Sequence, residues 1–322
     1  MTGGQEADME LTDPVERQIQ SELNVAAASD VLRVAEDIRQ RMGPSVAAVI
    51  FYGSCLRTGE LADKVLDFYV LVDNYIDAYG MGWKALANSA VPPNVFYLET
   101  PGGNFTLRTK YAVLSIADFK YGCGISFNSS IWARFAQPCQ LVWCRDDMVQ
   151  SVVVLGLSDA VTTIVSETVP LMPDAFTAGG LWSRAFSETY KVELRSEKDG
   201  KGRSIYEEYA DRYNDLTLAA LERGGMSAIL CDNEMKLSAP LPGGARWRTR
   251  LAWIFRRMQG KSLSLIRLIK ASTTFDGGID YLAWKISRHS GVEITVSPWQ
   301  RRHPVIAGLL MFWRLRRKGA FR

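Results

Sequence analysis

A glycine and a serine close one apolar run, and twelve residues later an aspartate opens the next. The stretch reads VAAVIFY (46–52), then Gly53-Ser54, then residues 55–66, then Asp67 at the head of DFYVLV. If a helix begins at Gly53-Ser54, its first backbone N–H groups and its dipole face outward, toward a phosphate. Glycine lets a ligand approach the backbone, and the Ser54 hydroxyl adds a donor. A carboxylate beside that phosphate, Asp67, can hold Mg2+, which bridges phosphate oxygens during an in-line displacement. These are the parts of nucleotidyl transfer, where positioning and charge neutralisation supply most of the catalysis. The same residues also fit a plain strand–turn–strand with a surface aspartate.

Other residues could serve such a site. Positions 67, 69, 71 and 73 share one face of an extended strand, so Asp73 points the same way as Asp67 but about 20 Å further along. One metal ion reaches both only if the strand bulges; otherwise Asp73-Asn74 is a turn starter. Lys110 stands inside the apolar run LRTKYAVLSI (107–116), where an unpaired ammonium is costly and a phosphate or a nearby acid would satisfy it. Arg57, three residues after Ser54, is either a further phosphate contact or a surface arginine. In KVELRSEKDGKGR (191–203), Lys191 and Arg195 lie one helical turn apart and suit an acidic headgroup, with Glu193 as a remote carboxylate. A face of i,i+4 ion pairs is the other reading. His289 fits capping and packing.

The elements that must position these residues follow from periodicity. Ser29–Arg41 predicts a helix with Val31, Leu32, Val34, Ala35 and Ile38 on one face and Ser29 as its cap, broken by Gly43-Pro44. Strands are expected at 46–52, 66–72, 94–100, 107–116 and 139–144, the third and fourth forming a hairpin around Pro101-Gly102-Gly103-Asn104. Beyond Asp147 the pattern turns helical: 149–172 is apolar around most of its circumference, whereas 181–197 and 204–225 are amphipathic. In 245–260, Trp247, Leu251, Ile254, Phe255 and Met258 form one face and arginines the others. That is either a core-packed helix with a solvated basic face or a helix lying in a lipid interface. The fold class is α/β (α+β), a mixed sheet with flanking helices followed by a mostly helical C-terminal domain. The expected divisions are a tail at 1–28, a sheet domain at 29–147, a helical domain at 148–260 and a basic C-terminal region at 261–322.

Composition narrows the class. Five cysteines form no CxxC pair, and two histidines do not supply a Cys/His zinc set. An odd cysteine count and an acidic, polar N-terminus point to a reducing compartment without a secretory or transit leader. No run of about 18 apolar residues is present, so no membrane span is expected. The net charge is only +3, but Met235–Phe275 holds nine Lys or Arg and no acid, and Trp299–Arg322 holds seven more. Removing those last seven leaves the rest of the chain at −4. Such segregation suits a polyanionic surface. HPVIAGLLMFWRLRRKGAFR (303–322), apolar then polybasic, suits an anionic leaflet, where attraction is worth about 1 kcal/mol per charge.

The order of these blocks resembles a known family. Gly-Ser, a spacer and a strand-leading Asp resemble the nucleotidyltransferase superfamily that includes DNA polymerase beta, with Tyr69 where the usual Asp-x-Asp has its second acid. LDFYVLVDN (66–74) resembles the corresponding segment of the mitochondrial-type (translocator-maintenance) phosphatidate cytidylyltransferases, in which an aromatic follows the Asp. VFYLE (95–99), RTKYAVLSIADF (108–119) and SIWARFAQPCQLVW (130–143) are similar to that family's later blocks, with Ala133 and Gln137 departing from its Gly and Lys. GKSLSLIRLIKAS (260–272) is similar to its K-G-rich segment. The resemblance implies a nucleotidyltransferase fold and transfer of a cytidylyl group from CTP to phosphatidate, giving CDP-diacylglycerol and pyrophosphate. It implies Mg2+ on Asp67 and Asp73, nucleotide contacts from Gly53, Ser54, Arg57 and Lys110, and lipid-phosphate contacts from Lys191 and Arg195. Catalysis would fall to Asp67 and Lys110. The partners are an anionic membrane surface and no nucleic acid, in a cytoplasmic protein peripheral to a bacterial inner membrane rather than on the mitochondrial matrix side. A nucleotidyltransferase with an RNA or small-molecule acceptor, and a catalytically inactive membrane-bound scaffold, are the alternatives.

Overall fold

The computed structural model describes residues 13–62, 64–102, 105–193, 200–231, 234–237, 241–274 and 296–302. In chain order the elements are α1 (Pro14–Leu23), α2 (Ser29–Met42), β1 (Val46–Tyr52), α3 (Ser54–Thr58), β2 (Val65–Val72), α4 (Tyr75–Tyr79) and α5 (Trp83–Ala90). Then come β3 (Asn94–Pro101), β4 (Thr106–Ser115), α6 (Ile116–Gly124), α7 (Trp132–Phe135), β5 (Cys139–Cys144) and α8 (Asp147–Thr168). The remainder is β6 (Ala175–Phe176), α9 (Ala178–Val192), α10 (Lys201–Glu208), α11 (Ala210–Arg223), β7 (Ala228–Cys231), β8 (Glu234–Leu237), α12 (Ala245–Thr274) and α13 (Pro298–Arg302). The class is the mixed α/β one that the alternation of strands and helices predicts.

Contacts group the chain into two units whose parts are not contiguous. One draws on Ala26–Asp118, Cys139–Asp146 and Ser262–Arg322, the other on Met1–Val25, Phe119–Pro138 and Asp147–Lys261. These divisions differ from the contiguous 29–147 and 148–260 blocks. The chain leaves the sheet after β4, contributes α7 to the helical unit, and returns to add β5. Within the segment expected to hold a tail and a first helix, residues 14–23 form a helix of the helical unit. Asp13 caps α1 by accepting from the Val15 and Glu16 backbone N–H groups at 2.8 and 3.3 Å.

In the sheet unit five strands lie in the order β3-β4-β2-β1-β5. β1 runs antiparallel to β2 and β5, β2 runs parallel to β4, and β3–β4 is the expected antiparallel hairpin. Residues 103–104 of its turn lie outside the described residues. Period-2 alternation gives the sheet two distinct faces. One carries Phe51, Leu66, Phe68, Val70, Phe96, Leu98, Leu107 and Val113, all buried with Val31, Val34 and Ile38 of α2. Phe51 and Phe68 meet on this face with ring centroids 5.0 Å apart. The opposite face presents Tyr52, Asp67, Tyr69, Tyr97 and Lys110. Ser29 is the first helical residue of α2 rather than its cap; Ala28 occupies the cap position and donates no side-chain bond.

In the helical unit α8 is the central element. With the turn that follows it, it is long and apolar enough to cross a membrane, although no uninterrupted apolar run marks it. In the structure it is a core helix, with Val153, Val154, Leu157, Ala160, Val161 and Ile164 buried. Gly156 has no room for a side chain, because a Cβ there would meet the Phe119 ring at 2.3 Å.

The N-terminal half of α12 packs in the reverse of the core-packed expectation. Trp253 and Arg256 face inward, while Trp247, Leu251, Ile254, Phe255 and Met258 are exposed. The Trp253 indole N–H donates to Glu167 O at 3.0 Å. The Arg256 guanidinium donates to Phe127 O at 2.9 Å and to the Glu167 carboxylate at 2.7 Å, and lies over the rings of Phe127, Trp132 and Trp253. A buried cation so enclosed is destabilising to break, because its partners are left unpaired. Arg256→Ala should lower unfolding stability by roughly 3 kcal/mol in a urea titration, and Arg256→Met should recover part of that loss.

Candidate active site on the open face of the sheet

The register across the sheet places the charged residues in one row. Tyr52 on β1 is opposite Asp67 on β2, Asp67 is beside Lys110 on β4, and Lys110 is opposite Tyr97 on β3. Directly paired positions point to the same face, so the four side chains form a line across four strands. Within it, Lys110 Nζ lies 3.3 Å from Asp67 Oδ1, with both side chains about a quarter to a third exposed. Tyr52 packs against Tyr69 with ring centroids 5.0 Å apart, which extends the floor one step along β2. The ammonium inside an apolar strand thus has a carboxylate partner, one of the two explanations its position allowed.

The turn after β1 closes over this row. Gly53 has φ +90° and ψ −161°, a region that only glycine occupies without strain. A Cβ on Gly53 would sit 2.9 Å from Asp67 Oδ2, so the aspartate fills the space a side chain would need. Helix α3 begins at once, with Ser54 exposed and Arg57 half-buried one turn later. The Cys55 thiol is buried and donates to Val65 O at 3.3 Å, tying α3 to the start of β2. Burial first, then the nearby Asp67 charge, pushes the Cys55 thiol above its ordinary range, so it remains protonated and unreactive.

A second charged pair lies next to the row. Arg108, two residues before Lys110 on β4 and on the same face, approaches Glu99 of β3 at 3.6 Å. Glu99 also accepts from the Tyr97 hydroxyl at 2.7 Å. The site therefore has two cations about 6.6 Å apart along one strand. Arg108 was not singled out in the sequence, although the i, i+2 spacing from Lys110 marks it. Cys55 was missed because nothing local distinguishes a tethering thiol from an apolar filler.

Gly53, Asp67 and Lys110 are thus gathered in one row, with Ser54 and Arg57 on the helix that begins beside it. Asp73 is not among them. β2 and β4 stay in register from Val65↔Arg108 to Val72↔Ser115 with no bulge, so six residues of straight strand separate the two aspartates by about 20 Å. At its own end Asp73 accepts both Arg145 guanidinium nitrogens, at 2.7 and 3.0 Å. Asp67 and Asp73 are therefore too far apart to share one metal ion. Among the described residues no three His, Cys, Asp or Glu side chains gather for a metal ion. Lys191 belongs to the helical unit, where it binds Glu188 at 3.0 Å, and Arg195 lies outside the described residues.

No known family profile matches the chain, and no curated protein matches it. Gly53→Ala should cost about 1–3 kcal/mol in urea unfolding, from the backbone conformation it forces together with the contact at Asp67. A variant as stable as the wild type would mean that the turn does not hold the carboxylate.

Proposed function

We propose that this chain is a nucleotidyltransferase that moves the cytidylyl group of CTP onto phosphatidate at an anionic membrane surface. The observation that carries the reading is the Gly53 turn held against Asp67, with Lys110 on the adjacent parallel strand 3.3 Å from that carboxylate. A turn without a side chain admits a phosphate to the backbone. Ser54, Arg57, Lys110 and the neighbouring Arg108 supply a donor and three cations around it. CTP and phosphatidate as the specific substrates are what the resemblance of residues 46–144 to the phosphatidate cytidylyltransferases implies.

In the reaction a phosphatidate phosphate oxygen attacks the α-phosphorus of CTP. A new P–O bond forms, the bond to the bridging oxygen breaks, and pyrophosphate leaves with that electron pair. Phosphatidate is already ionised near neutral pH, so no strong general base is needed. Lys110 and Arg57 offset the charge accumulating on the departing pyrophosphate, a role that grows in the transition state. Asp67 orients Lys110, and Glu99 holds Arg108 in the neighbouring pair. Magnesium, which binds largely through phosphates and water, would enter with CTP, and Asp67 is the carboxylate placed beside the phosphates to meet it.

The test is incubation of the full chain with labelled CTP, Mg2+ and phosphatidate vesicles. Label should pass into a lipid-soluble product with equimolar release of pyrophosphate. Asp67→Asn should reduce turnover about 10³-fold, and Lys110→Met about 10²-fold, with unfolding midpoints preserved. Unchanged turnover in Asp67→Asn would sink the mechanism. Label appearing in RNA or in a water-soluble product would replace the acceptor, and no consumption of CTP would leave a scaffold.

A further inference from the structure

The outer face of α12 has the wrong polarity for water. Trp247, Leu251, Ile254, Phe255 and Met258 fall at i, i+4, i+7, i+8 and i+11, one stripe about 17 Å long. Their exposures are 59%, 42%, 48%, 59% and 63%. The helix does not need this face to pack, since Trp253 and Arg256 on the other side anchor it to the helical unit.

Cations line the stripe. Arg250, Arg257 and Lys261 follow one edge at i, i+7 and i+11, and Arg248 stands on the other. Arg257 binds Glu188, which also holds Arg184 at 3.1 Å and Lys191 at 3.0 Å, so three cations share one carboxylate. Between Met235 and Phe275 there is no acid at all. A second copy of the chain fits this surface poorly, because stripe on stripe would oppose rows of arginine with no carboxylate on α12 to pair them. An anionic bilayer fits both features: apolar and aromatic side chains enter the boundary below the headgroups, and long cations at the edges reach the phosphates.

We infer that α12 lies in the plane of an anionic membrane, with the Trp247–Met258 stripe immersed and Arg248, Arg250 and Lys261 on the headgroups. This deepens the proposed function by assigning its membrane partner to α12, and it rests on that reading only for its purpose. The test keeps the two apart by using vesicles free of phosphatidate. The full chain should float with phosphatidylcholine vesicles containing phosphatidylglycerol and stay behind with phosphatidylcholine alone. The double variant Trp247→Ser/Phe255→Ser should lower the bound fraction at least about tenfold, with its unfolding midpoint unchanged because both residues are exposed. Arg248→Gln/Arg250→Gln/Lys261→Gln should weaken binding and flatten its salt dependence. Asp67→Asn should float like the wild type. The proposal is overturned if the wild type ignores anionic vesicles, or if the stripe variant floats undiminished. Conversion of an oligomer to a monomer by the stripe variant, with flotation unchanged, would assign the face to self-association instead.

Discussion

Gly53 is a glycine because the Asp67 carboxylate already occupies the volume that a side chain would fill, and much of the site follows from that contact. The turn can close over the sheet edge only with φ near +90°, and closing it sends α3 off immediately after β1. Cys55 then lies over the start of β2, where its thiol bond to Val65 O holds the two segments together. With β2 fixed against β1, its parallel partner β4 brings Lys110 to the same row. A one-residue slip of β4 would turn Lys110 into the face packed under α2 and replace it with Thr109 or Tyr111. The buried residues on that face, Leu107, Tyr111 and Val113, are what make such a slip costly.

This explains how an ammonium is tolerated inside an apolar strand. The sheet is two-sided at this edge: the α2 side is closed, and the row side leaves Asp67 and Lys110 partly exposed. Their pairing at 3.3 Å is therefore a partly solvated contact, modest as a source of stability. What it does supply is orientation. Each side chain is held in the row by the other, and an anionic ligand entering there meets Lys110 and Arg108 already aimed across the same face.

The five strands of the larger sheet were legible in the sequence because apolar runs bounded by Gly, Pro and Asn define them locally, and the structure places them within about a residue of their expected ends, whereas β6, β7 and β8 are too short for such a run to mark them. The carboxylate–ammonium pair was half legible: Lys110 announced a need for a partner, but only the parallel register identified Asp67. Asp73 misled because alternation reports a face and not a distance; Arg145, remote in sequence, turned out to be its partner. The domain boundaries were illegible for a related reason. Residues 119–138 continue directly from the helix that follows β4, so nothing local reveals that they group with α8 in the other unit.

Helix α12 presents the hardest case, and it shows what periodicity omits. Its most regular apolar stripe is the exposed one, while the packed side is marked by a single tryptophan and an arginine. Hydrophobic pattern identifies a face that prefers to leave water; it does not say which neighbour receives it. Here the inner contact is built from cation–aromatic and hydrogen-bonded geometry, which requires particular partners, Phe127, Trp132 and Glu167, and little apolar area on α12 itself. That economy frees the larger apolar surface to face outward. An arginine in the core and a tryptophan on the surface are thus two sides of one arrangement, in which directional contacts fix the helix and leave its non-directional surface available.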